Sequence, residues 1–308
     1  MLSCPRLAKC DDRSEVAKTN SRGGPEQWFT RSTLDSFGLA GITFDFFVDW
    51  NTDHCADEIW IKRLSSLDPA GFLAQGPASL TQALALLGDD LNLVSRFAAA
   101  HKLSAFYQVF CEDVDWAKTP GEILQANIAE GVFSKLELRS LTETMDRIRQ
   151  LSGGRVRIGP KGLIYGTSTL ECYLSHTDAL WPGDVDCVLI ETSSGRVRAI
   201  LEYKKHNLES RIEDQSLINY YPRPDARKYD RLALLRDRLG GDVPIFVIYY
   251  STDPKVGTVK IDYVTGPCFD LRPTAFSLVH RATRDNETFG KAIIDMLLPK
   301  MRMAKTVE

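Results

Sequence analysis

The 308-residue chain carries 38 Lys and Arg against 41 Asp and Glu, a formal charge of −3, and 44% of its residues are hydrophobic. That balance excludes wholesale disorder, collagen-like repeats and a global pull toward polyanions, so any polyanion site must be a local patch. The length suits about two domains at roughly 150 residues each, and no run approaches the roughly 18 consecutive apolar residues of a membrane span.

The first 25 residues are polar, end in Arg22-Gly23-Gly24-Pro25, and read as a flexible leader. Charges stand where a secretion signal needs its apolar core. The seven cysteines (Cys4, Cys10, Cys55, Cys111, Cys172, Cys187, Cys268) are odd in number, scattered, and form no C-x-x-C pair. That usage predicts a reduced, cytoplasmic protein without a zinc site.

Residues 26–130 read as a smaller N-terminal α/β domain. Strands are expected at 41–48, 58–62 and 105–110, with a helix across 79–100. Thr119-Pro120-Gly121 opens a connection to residues 131–308, the second domain. There the spacing predicts a helix over 135–151, with Leu138, Leu141, Met145 and Ile148 as its stripe, stopped by Ser152-Gly153-Gly154. Strands follow at 162–165, 170–174, 184–191 and 196–205, then a helix over 208–221 that Pro222 and Pro224 break. Asp225 caps the next helix, whose stripe is Tyr229, Leu232, Leu235 and Leu239. The continuous apolar run 244–250 suits a strand buried on both faces. A further strand at 259–264 and a closing helix at 287–298 complete the chain.

The informative segment is the hairpin. Ser193-Ser194-Gly195 is a three-residue loop ending in glycine between two apolar strands. Centring it on Ser194 pairs Val188 with Ile200, Asp186 with Glu202 and Asp184 with Lys204. Cys187 and Leu189 then meet Leu201 and Ala199 on the other face. Side chains alternate along a strand, so Asp184, Asp186, Glu202 and Lys204 share a face at one end. Opposed carboxylates repel and cost desolvation. Lys204 supplies one compensating charge, and a divalent cation would supply two more. Oxygen-only ligation, without Cys or His, favours Mg2+ or Mn2+. Lys205, Arg211, Arg223, Arg227 and Lys228 make the surrounding stretch locally basic and suited to phosphates.

Asp186 on an apolar strand, followed by Glu202-x-Lys204 at the end of the next, resembles the PD-(D/E)XK nuclease superfamily, the restriction-endonuclease-like fold. The likeness spans about residues 135–250. It implies an αβββαβ core with a central mixed sheet, preceded here by the smaller α/β domain. It also implies that Asp186 and Glu202 hold Mg2+ or Mn2+ with the backbone carbonyl of Tyr203, while Lys204 orients or deprotonates the attacking water. RecB-type relatives place a Gln and then a Tyr on the following helix. Gln215 and Tyr220 are similar, at an interval one residue longer than Q-x-x-x-Y. A glutamate on the first helix often completes such sites; Glu137, Glu143 and Glu171, the last on a preceding strand, stay open as alternatives. Asp184 is either a further site residue or a turn-former that only pairs with Lys204.

The resemblance thus implies a Mg2+-dependent nuclease of the cytoplasm, acting on DNA in defence or repair and working as a homodimer without a membrane partner. The alternatives are a catalytically inactive nuclease-fold module that binds nucleic acid or regulates a partner, and an unrelated α/β protein with a structural carboxylate pair. The N-terminal domain adds an echo: Asp45-Phe46-Phe47-Val48, then Trp60-Ile61-Lys62-Arg63, follow the order of Asp186-Cys187-Val188-Leu189 and Glu202-Tyr203-Lys204-Lys205. Either this is a degenerate duplicate that lost its metal, with Trp60 in place of the glutamate, or the spacing is coincidental.

Overall fold

The computed structural model describes residues 1–16, 24–118, 120–206, 210–251, 253, 255–281 and 285–303. Residues 17–23 of the expected leader, Thr119 of the expected connection, and Leu208, where a helix was expected to begin, lie outside the described residues. The chain divides into two compact units. The first comprises Met1–Lys18 with Phe44–Asp184, the second Thr19–Thr43 with Val185–Glu308. The division falls at Asp184, not near residue 130.

The start of the chain is tied down. β1 (Leu2–Ser3) pairs antiparallel with Ser65 and Leu64, and β2 (Ala8–Lys9) with Gly166 and Tyr165. Leu2 and Ala8 are buried, and the Arg13 guanidinium donates to the carbonyls of Ala8 and Gly166. A disulfide joins Cys10 to Cys172. The leader is therefore ordered over residues 1–16, and two cysteines are oxidised, against the expectation of a fully reduced set.

Two short helices, α1 (Pro25–Trp28) and α2 (Arg31–Asp35), belong to the second unit. In the first unit, β3 (Leu39–Asp49, from Phe44 onward) pairs antiparallel with β4 (His54–Ser65). After α3 (Ala70–Gln75), α4 (Pro77–Leu86) and α5 (Leu91–Ala100), β5 (Ser104–Cys111) returns parallel to β4. The single helix expected over 79–100 is split, because Gly88 takes φ +86° and the Asp90 carboxylate caps the amide of Leu93. β6 (Ile123–Ala129) and β7 (Val132–Arg139) then add antiparallel strands. Residues 132–139 are consequently strand, and α6 (Leu141–Leu151) starts only at the Ser140–Glu143 capping box. β8 (Tyr165–Gly166) is shorter than the strand expected there, and α7 (Thr169–Leu174) replaces the expected strand. The Ser168 hydroxyl caps it, and Leu170 and Leu174 are buried at i, i+4. The core gathers Phe47, Trp60, Phe110, Trp116, Ile148 and Trp181.

In the second unit, β9 (Gly183–Glu191, from Val185 onward) pairs antiparallel with β10 (Val197–Lys205) in the expected register: Leu189 with Ala199, Val188 with Ile200, Cys187 with Leu201. Gly195, at φ +71°, lets its amide return to the Glu191 carbonyl. β11 (Ile245–Tyr250) runs parallel to β10 after a crossover containing α8 (Ala226–Arg238). β12 (Thr258–Thr265) and β13 (Arg272–His280) follow antiparallel, and α9 (Asn286–Met303) closes. One sheet face packs Leu189, Leu201, Phe246 and Ile261 against Phe289, Ile293, Leu297 and Trp28.

No α-helix forms over the described part of 208–221. Two 3₁₀ turns, Ile212–Asp214 and Leu217–Asn219, flank an extended Gln215. The cause lies in β12. Asp262 accepts from the Leu217 amide at 2.9 Å and the Ser216 hydroxyl at 3.0 Å, while Lys260 donates to the carbonyls of Glu213 and Gln215. Backbone groups that a helix would pair internally are satisfied from the sheet.

Taken separately, both units use one plan: an antiparallel pair, a parallel neighbour reached by a helical crossover, then two antiparallel strands. Asp45 stands opposite Trp60, with Lys62 two residues on.

Gly290 in α9 lies against α1, and a Cβ there would come within 2.0 Å of the Trp28 carbonyl oxygen. Gly290→Ala is expected to destabilise the protein by about 1–3 kcal/mol through forced separation of these helices. Thermal unfolding with an unchanged or raised midpoint would contradict this packing.

Candidate functional site

Alternation along β10 puts Ile200, Glu202 and Lys204 on one face. Ile200 is buried, and Glu202 is completely so although it can carry a charge. One carboxylate oxygen, Oε1, meets Lys228 Nζ at 2.5 Å and Lys204 Nζ at 3.9 Å. The other, Oε2, has no hydrogen-bond partner among the described residues. Burial, reinforced by the charge of Asp186, pushes the Glu202 carboxyl up to about 8, with the two lysines pulling the other way.

Asp186 reaches the same strand differently. Regular pairing between β9 and β10 extends to Cys187 and Leu201. Beyond that point the Asp186 Oδ2 itself accepts from the Tyr203 amide at 2.6 Å. The side chain thus continues the ladder, holding Asp186 beside the end of β10.

Lys204 is restrained on three sides. Its ammonium sits 2.7 Å from Asp225 Oδ2 and lies over the rings of Tyr220 and Tyr229, at 4.9 and 5.4 Å from their centroids. Asp225 is indeed the N-cap residue of α8, but its side chain makes no capping bond and serves Lys204 instead. The Tyr220 hydroxyl donates to Gln215 Oε1 at 3.0 Å, so these two meet despite their lengthened interval. Gln215 Nε2 donates to the Ser210 hydroxyl, which also contacts His206 Nε2 at 2.8 Å. Gln215 is therefore placed from an extended segment, not from a helix.

The structure brings Asp186, Glu202, Lys204, Gln215 and Tyr220 into one connected cluster and adds Asp225, Lys228 and Tyr229. Lys228, expected on phosphate, is turned onto Glu202. Lys205, Arg211, Arg223 and Arg227 are exposed. Asp225 and Lys228 were legible only as a cap and as part of a basic run, because 21 residues separate Lys204 from its acid partner.

Other candidates belong elsewhere. Glu143 is spent in the exposed capping box with Ser140, and Glu137, on a strand, pairs with Lys135 and Arg139. Glu171 and Asp184 act within the first unit, and Glu171 stands on α7 rather than on a strand. There Lys62 Nζ lies 3.2 Å from Asp45 and 3.6 Å from Glu171. Burial pushes the Asp45 carboxyl up to about 6; Lys62 opposes this, and Asp184 and Glu171 reinforce it.

Among the described residues, no three His, Cys, Asp or Glu side chains are grouped as a metal cage. The donors at β9 and β10 are the two carboxylates Asp186 and Glu202 and the Tyr203 carbonyl. An all-oxygen set of this size suits Mg2+, which keeps several waters and uses one or two carboxylates. Glu202 Oε2, without a hydrogen-bond partner among the described residues, has lone pairs that such an ion could accept.

No family model and no curated protein matches the chain. A solved structure described as a sex pheromone staph-cAM373 precursor covers 83% of this chain and 83% of its own, at 10% identity and a TM-score of 0.21. A likeness this slight bears on neither fold nor function. Among the described residues, no helix is long and apolar enough to cross a membrane.

The raised Glu202 carboxyl has a pH signature. The folded chain keeps a proton that the unfolded chain gives up between the ordinary carboxylate range and about 8, so stability contributed here falls as pH rises through that window. In chelator, the melting temperature is expected to drop between about pH 5 and pH 8, and Glu202→Gln to flatten that drop. Parallel profiles for the two proteins would show that Glu202 does not carry the proton.

Proposed function

We propose that the second unit is a PD-(D/E)XK-like domain and that the chain is a Mg2+- or Mn2+-dependent nuclease acting on DNA. The supporting observation is the fully buried Glu202, with an unpartnered oxygen beside Asp186 and a restrained Lys204. Burying an ionisable carboxylate with one oxygen unsatisfied is costly, and proteins retain such groups where function needs them. The strand plan of this unit, with a parallel β11 reached by a helical crossover, supports the finer fold reading.

A divalent cation on Asp186, Glu202 and the Tyr203 carbonyl would supply charge to a phosphorane-like transition state. Lys204, fixed by Asp225 and two aromatic faces, holds its ammonium beside the carboxylates, where it can orient water or neutralise a phosphate oxygen. Gln215 and Tyr220 fix one wall around that ammonium. The exposed Lys205, Arg211, Arg223 and Arg227 supply nearby positive charge for the backbone. A role in defence or repair, and a homodimer that cuts both strands, go with this reading.

One observation favours a second reading, a non-cleaving module of the same fold that binds nucleic acid or regulates a partner. Lys228 already sits on Glu202, and Asp225 already holds Lys204, so most of the cluster's charge is closed internally.

Incubation with DNA and RNA substrates, with Mg2+, with Mn2+ and with chelator, separates the two. Metal-dependent cleavage is expected, and Glu202→Ala and Lys204→Ala should each reduce it roughly 10²-fold or more without loss of folding. Cleavage that survives both substitutions would sink the assignment; absence of cleavage with nucleic-acid binding intact would favour the second reading.

A further inference from the structure

The first unit holds a polar cavity of about 360 Å3, within the size range of small-molecule sites. Strand register builds it. Phe106 pairs with Asn127, and Asn127 and Gln125 alternate to the same face of β6, so a ring and two amides line one wall. Arg139 enters from the end of β7 and Arg147 from α6. Glu58, only 4% exposed, forms the floor, held by the Trp60 indole at 2.6 Å and by the Arg147 guanidinium.

The polar atoms are not all spent internally. Arg139 Nε is buried and donates to nothing among the described residues. Gln108 donates to Gln125 Oε1 at 3.1 Å, which orients the Gln125 amide and leaves its NH2 toward other acceptors. The Asn127 amide meets no side-chain partner among the described residues. The lining carries three cations, Lys135, Arg139 and Arg147, against two acids, Glu58 and Glu137, an excess of one positive charge.

Each feature narrows the ligand. A free carboxamide presents a donor and an acceptor in one plane, the pattern that matches a base edge. Phe106 offers a face for stacking, and the excess cation with an orphaned guanidinium N–H suits a phosphate. A simple anion would leave the amides and the ring idle, whereas a neutral sugar would leave the cationic excess idle. We propose that this cavity binds an unpaired nucleobase together with its phosphate, as a mononucleotide or as a flipped or single-stranded nucleotide of a longer chain. Binding here needs neither the metal nor the chemistry assigned to Glu202.

Calorimetric titration of the full chain in chelator with the four nucleoside 5′-monophosphates, with ribose 5-phosphate as the base-less control, tests it. At least one nucleotide should bind saturably and about tenfold tighter than ribose 5-phosphate, and Asn127→Ala and Arg139→Met should each weaken it about tenfold. Asn127→Asp, which keeps the shape but removes the donor, carries the test if the alanine variant unfolds. Glu202→Gln should bind nucleotide like the parent chain, so failure of the cleavage reading and failure of this one are distinguishable. Absence of saturable binding, equal affinity for ribose 5-phosphate, or parent-like affinity in the Asn127 and Arg139 variants would overturn the proposal.

Discussion

Burial of the Glu202 carboxylate is the constraint around which the second unit is organised. An ionisable carboxyl removed from water must be met by something, and here two lysines approach it, one from its own strand and one from α8. Lys228 can reach it only because α8 lies across this face, and α8 lies there because β11 returns parallel to β10 and needs a crossover. Parallel pairing, helix placement and the charge pattern are thus consequences of one another. The cluster is also why Asp225 leaves the helix terminus it could cap: Lys204 is the stronger attraction.

The same logic explains the irregular segment before α8. Asp262 and Lys260, both nearly inaccessible on β12, satisfy one another imperfectly at 3.8 Å and find better partners in the backbone of residues 213–217. That backbone is held as two separate turns, with Gln215 extended between them and able to meet the Tyr220 hydroxyl. A regular helix would have spent those amides and carbonyls on itself.

What could be read beforehand divides along this line. The hairpin register was legible because a three-residue loop ending in Gly195 and a strict apolar alternation leave one alignment that keeps Val188 and Ile200 on a common face. The buried strand at Ile245–Tyr250 was legible from its unbroken apolar run. Residues 170–174 were misread as strand because five residues cannot distinguish a period of two from one of 3.6; the Ser168 cap decides it. The Cys10–Cys172 bond spans 162 residues, and no local pattern announces a pairing at that separation. Asp225 and Lys228 escaped for a related reason: their importance comes from what α8 is packed against, not from their neighbours in sequence.

Comparing the two units separately shows how one substitution alters the chemistry available to a shared plan. In each, a lysine stands two residues past a position that holds Trp60 in the first unit and Glu202 in the second, and an aspartate lies on the preceding strand. With tryptophan there, the indole extends the apolar core among Phe47 and Trp181 and donates to Glu58, while Lys62 faces Asp45 and Glu171 and the Thr167 amide and hydroxyl donate to Glu171. Asp45 Oδ1, 3.2 Å from Lys62 Nζ, is likewise buried without a hydrogen-bond partner among the described residues, and the polar character of that unit extends along the sheet to Gln125, Asn127 and Arg139. With glutamate there, no apolar solution exists, and the carboxylate stays buried with one oxygen unmatched. Both units therefore bury an acid beside a lysine; the first fills the common position with an aromatic ring, whereas the second keeps an ionisable carboxyl there at a cost in stability.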